Sequence, residues 1–277
     1  MVERINYDMS VNGRVVVEGG KGDDRFALDD TAALMTIDGG EGNDFFQVGQ
    51  VFASLRDTAN GLLGEDAFES TKLSFGGYLS RGISLPAVIY GGTGDDTFQV
   101  YSNKADLRLE GEDGDDTFIV RAFALAGSNP QDNKIKLNAG AGNDRIEYNI
   151  NAPLEIDGGS GFNKIVALGT EFADTFVVTS DGIYGAGLSI RFSNIQAVEV
   201  DGLEGDDTFY VLSTPPGVVT TLIGGLGSDT FNVAGDVSGE VVARDAKGNA
   251  AVINHTAASS DPRYDGLFVP GINASVA

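Results

Sequence analysis

A chain of 277 residues with 42% apolar content can bury a continuous core as one large domain or two average ones, which excludes a disordered tail. Its 18 Lys and Arg against 41 Asp and Glu give a formal charge of −23, which argues against nucleic acid as a partner. Thirty-nine Gly with seven Pro, and no Gly at every third position, exclude a mainly helical protein and a collagen, and zero Cys excludes disulfides and thiol chemistry.

The start, MVERINYDMS, lacks the basic and apolar blocks of a secretory signal. Met1 reads as an addition to a segment of something longer. No run of about 18 apolar residues occurs, so membrane insertion is not expected. From Val15 onward one pattern recurs. A short alternating run leads into a glycine-rich turn, and a second short run leads out. GGKGDDRF occupies 19–26, after Val15, Val16 and Val17, and GGEGNDFF occupies 39–46, after Leu34 to Ile37. The segment 49–86 then interrupts the series and is too long for one ordinary coil. It reads as a protruding insertion, with Phe75, Tyr78 and Arg81 the first residues to test for binding.

The series resumes with GGTGDDTF at 91–98, GEDGDDTF at 111–118 and, after a smaller excursion at 121–134, AGAGNDRI at 139–146 and GGSGFNKI at 158–165. A worn copy, GTEFADTF, covers 169–176. The wider gap that follows has room for an extra strand or a full unmarked coil. GLEGDDTF at 202–209 and GGLGSDTF at 224–231 complete the set. After 234 the motif stops. The remainder reads as a final strand or two and a tail or cap over 255–277.

The runs that leave the turns place apolar residues two apart, as in Phe98, Val100 and Phe118, Val120, the period of a strand with one buried face. Turn starts at 19 and 39, 91 and 111, and 139 and 158 are 20, 20 and 19 residues apart. One coil cannot bury its own inner face. Coils stacked at about 4.8 Å pair every backbone group with the coils above and below. The expected fold is therefore all-β: a parallel β-helix or β-roll-like solenoid over 1–254, right-handed by the usual default, with the insertion at 49–86. Stacking would bring Phe26, Phe98, Phe118, Phe176, Phe209 and Phe231 into one internal column, and the turns would mark a single edge.

Glycines at the bend let carbonyl oxygens converge, and the Asp adds charge. Two stacked turns would surround a gap suited to a hard cation taking six to eight oxygens, which favours Ca²⁺ over Mg²⁺. Carboxylates repeated about every 5 Å repel by about 0.8 kcal/mol in water and about 3 kcal/mol at an effective dielectric of 20, so an empty ladder is strained. The competing reading is that each Asp merely hydrogen-bonds its own turn.

These residues resemble the hemolysin-type calcium-binding repeat of RTX proteins, in an irregular form with about one turn per coil. The resemblance carries the calcium-binding carboxylate onto Asp24, Asp44, Asp96, Asp116, Asp144, Asp207 and Asp229. At 158–165 the same position holds Asn163, where an ion is not expected. The expected pairs are Asp24 with Asp44, Asp96 with Asp116, Asp116 with Asp144, and Asp207 with Asp229, for about four ions. Asp23, Asp95, Asp115 and Asp206 would add potential or stay solvated. Lys21, Arg25 and Arg145 could neutralise part of the ladder without metal.

The single His255 lies in a polar stretch, and Asp174, Asp181, Tyr184 and Arg191 share one wide coil without a recognisable catalytic pattern. The expectation is a noncatalytic, calcium-stiffened segment of a large secreted or cell-surface bacterial protein, adhesin- or exoprotein-like. Its partners would be neighbouring repeat modules of a longer parent chain. The alternative is a carbohydrate-binding or polysaccharide-processing module that uses the insertion to contact surface glycans.

Overall fold

The alternating runs fold as short strands in the computed structural model of the chain, and no α-helix occurs among the described residues. These are 5, 7, 10–29, 31, 33–73, 76–121, 135–149, 154–234, 237, 240–244, 250–256 and 268–275. Phe75 and the excursion over 122–134 lie outside them. The molecule is almost entirely β with long parallel sheets, which is compatible with a solenoid. The chain divides into two compact units: residues 1–142 with 151–155, and residues 143–150 with 156–277.

In the first unit the strands entering the turns are β1 (Arg14–Lys21), β3 (Leu34–Glu41), β8 (Ala87–Thr93), β10 (Leu107–Asp113) and β12 (Ile135–Asn138). The strands leaving them are β2 (Arg25–Leu28), β4 (Phe45–Val48), β9 (Thr97–Val100) and β11 (Thr117–Val120). Each set forms its own parallel sheet, β1-β3-β8-β10-β12 and β2-β4-β9-β11. Register is kept from coil to coil. Gly20 pairs with Gly40, Gly40 with Gly92 and Gly92 with Glu112, while Phe26, Phe46, Phe98 and Phe118 line up beyond the bend. From β3 and β4 onward alternate residues are buried, including Ile37, Ile89, Leu109, Val100 and Val120, while the first coil's β1 is only half-buried on that face. Period-two burial of this kind pins register, because a slip by one residue would turn the core face outward.

The insertion leaves this stack and returns to it. It forms an antiparallel sheet of β5 (Val51–Phe52), β6 (Ser70–Lys72) and β7 (Tyr78–Ser80), with two single 3₁₀ turns at Thr58–Asn60 and Gly64–Asp66. Phe52 and Phe68 meet edge to face with centroids 5.6 Å apart, and the Arg56 guanidinium lies 4.6 Å from the centre of the Phe52 ring. Buried Ser80 ties the excursion down, donating to Asp29 at 2.5 Å and accepting at its carbonyl from Ser102 at 2.6 Å. Tyr78 is half-buried on β7, and Arg81 pairs with Glu69.

In the second unit β13 (Arg145–Asn149), β15 (Lys164–Leu168), β19 (Ala197–Asp201), β21 (Val219–Ile223) and β23 (Val241–Arg244) form one parallel sheet. The other sheet contains β16 (Thr175–Thr179), β17 (Gly182–Gly185), β18 (Leu188–Ser193), β20 (Thr208–Val211), β22 (Asp229–Ala234), β24 (Ala250–Thr256) and β25 (Phe268–Ser275). Here β16, β20, β22 and β24 run parallel, and β17 and β25 pair antiparallel with their neighbours. β14 (Leu154–Asp157) crosses the boundary between the units, and β24 runs through residues 254 and 255.

One expectation is filled in and one is corrected in this unit. The wide gap after 176 holds both an added hairpin, β17 with β18, and an unmarked turn at 194–196. The turns also do not mark one edge only. The 158–165 turn enters the β13-β15-β19 sheet, whereas the turns at 169–176, 202–209 and 224–231 leave it. The cause is spacing: the worn copy starts eleven residues after 158, half a coil, so β15 both ends one turn and begins the next. The aromatic column is accordingly split. Phe26, Phe46, Phe98 and Phe118 stack in the first unit and Phe176, Phe209 and Phe231 in the second, at centroid spacings of 4.6 to 5.2 Å. Ile146 and Ile165 hold the corresponding positions after the two intermediate turns.

Candidate functional site: the stacked aspartate turns

At a regular turn such as 91–98, the first glycine is dictated by what occupies the space of its missing side chain. A methyl group on Gly91 would overlap Asp96 Oδ2 and come within 2.7 Å of the Gly111 carbonyl oxygen of the next coil. Gly92, with φ 110, takes the left-handed conformation that turns the chain. The sixth position then points its carboxyl inward. Asp44, Asp96, Asp116, Asp144, Asp207 and Asp229 are each no more than 2% exposed, while Asp24 is half-buried.

The carboxyls of Asp44, Asp96, Asp116, Asp207 and Asp229 cap main-chain amides of the coil before. Asp24 N–H donates to Asp44 Oδ1 at 2.7 Å, Asp44 N–H to Asp96 at 2.6 Å and Asp96 N–H to Asp116 at 2.8 Å. On the second set of turns, Asp174 N–H donates to Asp207 Oδ1 at 2.7 Å and Asp207 N–H to Asp229 at 2.9 Å. Three of the expected pairs are thus neighbours, and Asp44 with Asp96 joins them across the whole insertion. Asp116 and Asp144 belong to different units.

The fifth position forms a second ladder, running the other way. Asn43 N–H donates to Asp23 Oδ1, Asp95 N–H to Asn43 Oδ1 and Asp115 N–H to Asp95 Oδ1, all at 2.9 Å. Ser228 N–H donates likewise to Asp206. Asp23, Asp95 and Asp206 are thus caps on the following coil rather than spare surface charge. The motif's two adjacent acidic positions together satisfy amides on both sides, which a bend outside a regular ladder would otherwise leave unpaired. The cations inside the motifs are engaged elsewhere. Lys21 pairs with Glu41 at 2.7 Å, Arg25 lies 4.1 Å from the centre of the Phe45 ring and Arg145 pairs with Glu147 at 3.2 Å.

Capping accounts for one oxygen of each carboxyl. The other, Oδ2 of Asp44, Asp96 and Asp207, is buried with no hydrogen-bond partner. Burial pushes the carboxyls of Asp96 and Asp207 up to about 6 and raises that of Asp44; the capped amide opposes the shift, and neighbouring carboxylates add to it. Asn163 shows what this slot faces. Its Oδ1 accepts from Asp144 N–H at 3.1 Å as the aspartates do, and its Nδ2 donates to the Gly158 and Asn194 carbonyls at 2.5 and 3.2 Å. The slot is lined by acceptors, so a bare carboxylate oxygen there calls for a proton or a cation. All the available donors are hard oxygens, which fits Ca²⁺ chemistry. Each slot offers a single carboxyl, and no group of three or more His, Cys, Asp or Glu suited to a metal occurs among the described residues.

Several residues that join these hydrogen-bond ladders escaped the sequence reading. Gln196 Oε1 accepts from Asn163 N–H at 2.7 Å, standing in for the sixth-position Asp in a turn without the motif, and Asn194, with φ 55, supplies the facing carbonyl. Thr170 donates to Asp174 Oδ2 through its N–H at 2.7 Å and its hydroxyl at 2.9 Å. Of the remaining candidates, Asp181 accepts from Thr179, and His255 lies on β24. Compared with known proteins, the chain matches no protein-family model and no curated protein sequence.

Proposed function

We propose that this chain is a noncatalytic, calcium-binding parallel β-solenoid segment of a large secreted or cell-surface bacterial protein, resembling RTX-type repeat regions. The observation that carries the reading is the set of buried, partnerless Oδ2 atoms at Asp44, Asp96 and Asp207 in slots bordered by main-chain carbonyls. Asp24, Asp44, Asp96, Asp116, Asp144, Asp207 and Asp229 would hold the ions, with carbonyl oxygens of the turn glycines. Bound Ca²⁺ would supply positive charge where carboxyl and carbonyl oxygens face one another. The chain's own part is to keep those oxygens stacked through the capped amides and the aromatic columns. Below the calcium levels of the exterior the carboxylates repel and loosen the turns, so export would favour the folded segment. Neighbouring repeat modules of a parent chain are the natural partners. No helix among the described residues is long and apolar enough to cross a membrane.

Calorimetric titration with Ca²⁺, paired with melting in chelator, tests this. The expected result is uptake of about four ions and a clear rise in Tm, since a site filled to a hundred times its Kd adds about 2.7 kcal/mol. No uptake and an unchanged Tm at millimolar Ca²⁺ would remove calcium from the account.

A further inference from the structure

We propose that Asn163 and Thr170 are built-in replacements for the ion, so that the consecutive turns 158–165 and 169–176 form a joint that holds without calcium while the regular turns require it. The inference rests on the calcium reading for the identity of the ligand, but the replacement itself stands on hydrogen-bond geometry. In the regular turns Oδ2 of the sixth side chain is a buried acceptor with no donor, beside a main-chain carbonyl of the following coil, as at Asp44, Asp96 and Asp207. In the two variant turns that conflict is resolved by the chain, once from each side.

At 158–165 the side chain itself is changed. An amide has the shape of a carboxylate but presents NH₂ where the carboxylate presents oxygen. Asn163 is fully buried, and Nδ2 reaches the carbonyl of its own turn, Gly158, and that of the following coil, Asn194. Its Oδ1 and N–H continue the ladder unchanged, to Asp144 and Gln196. At 169–176 the surroundings are changed instead. Asp174 remains, but Thr170 stands at the second position, where the other copies have a residue of positive φ (Gly in six, Glu112 and Leu203 in two), and is itself not among the residues of positive φ. Its N–H and hydroxyl therefore both converge on Asp174 Oδ2. The two turns share β15, so donor-complete bends flank one strand whose Ile165, Val166 and Ala167 are buried. The joint lies where the turns change from entering the β15 sheet to leaving it, and there the ordinary one-coil stacking of acidic turns is broken.

Hydrogen exchange on the unaltered chain, in chelator and in millimolar Ca²⁺, is the first test. The amides of 158–176 should keep their protection in chelator while those of 39–46 and 91–98 lose theirs. Equal loss across all turns would overturn the inference. Exchanging the side chains gives the second test. Asp96→Asn should melt higher than the parent in chelator, by on the order of 5 °C, and lose part of the calcium-induced rise. Asn163→Asp should melt lower in chelator and recover with Ca²⁺. If Asp96→Asn melts lower than the parent in chelator, the replacement idea is wrong. If Ca²⁺ moves no variant while Asp96→Asn is still the more stable, the amide's role is supported and the calcium reading alone fails.

Discussion

Truncating Phe98 to Ala tests whether the aromatic column holds the first unit together. Phe98 is fully buried between Phe46 and Phe118, with centroids 4.8 and 4.6 Å away and ring planes within 16° and 8°. Removing a buried Phe side chain costs about 3–5 kcal/mol from lost burial and the cavity left behind, because ladders above and below prevent collapse. Each lost ring contact contributes about 0.5–1.5 kcal/mol, which puts Phe98→Ala at the upper end of that range. Phe26 is the internal comparison: it is half-buried and has one stacked neighbour, Phe46 at 5.2 Å, so Phe26→Ala should cost about half as much or less. Urea unfolding of both variants at fixed calcium, followed by near-ultraviolet circular dichroism, reads the difference. Equal losses at the two positions, or a loss below about 1 kcal/mol at Phe98, would refute the column as the source of cohesion.

Two further outcomes follow from the turns. Gly91→Ala places a methyl group against Asp96 Oδ2 and the Gly111 carbonyl and should cost about 1–3 kcal/mol, whereas Gly64→Ala, where nothing lies within 4 Å, should be nearly neutral by thermal melting. In chelator, Asp96 and Asp207 hold protons more tightly folded than unfolded, since burial pushes both from 3.8 to about 6. Stability from these groups is therefore complete near pH 4 and is lost as pH rises toward 6, by about 2–3 kcal/mol each. The melting temperature without calcium should rise on acidification from pH 7 to 4.5, and a fall over that interval would contradict burial as the dominant influence on these carboxyls.

Local chemistry made much of this protein legible from residue order alone. The eight-residue turn, the alternating runs on either side and the spacing of 19 or 20 residues between three pairs of turns imply short parallel strands in register, and Gly40 over Gly20 and Phe118 over Phe98 bear out that register. The burial of the sixth-position aspartates was anticipated only as convergence on a gap, and the opposite-running ladder of Asp23, Asn43 and Asp95 was not anticipated, because both depend on which amides the adjacent coil presents. Tertiary structure decided the rest. Asp44 meets Asp96 only because Ser80 and Ile83 bring the insertion back to the point where it left. The half-coil offset at 169 sends the later turns to another edge and divides the aromatic residues into two stacks. Asn163 and Gln196 act as ladder members although one departs from the motif and the other lacks it, since a cap requires only an acceptor at the right place in space, a condition that three-dimensional stacking satisfies and a sequence pattern does not encode.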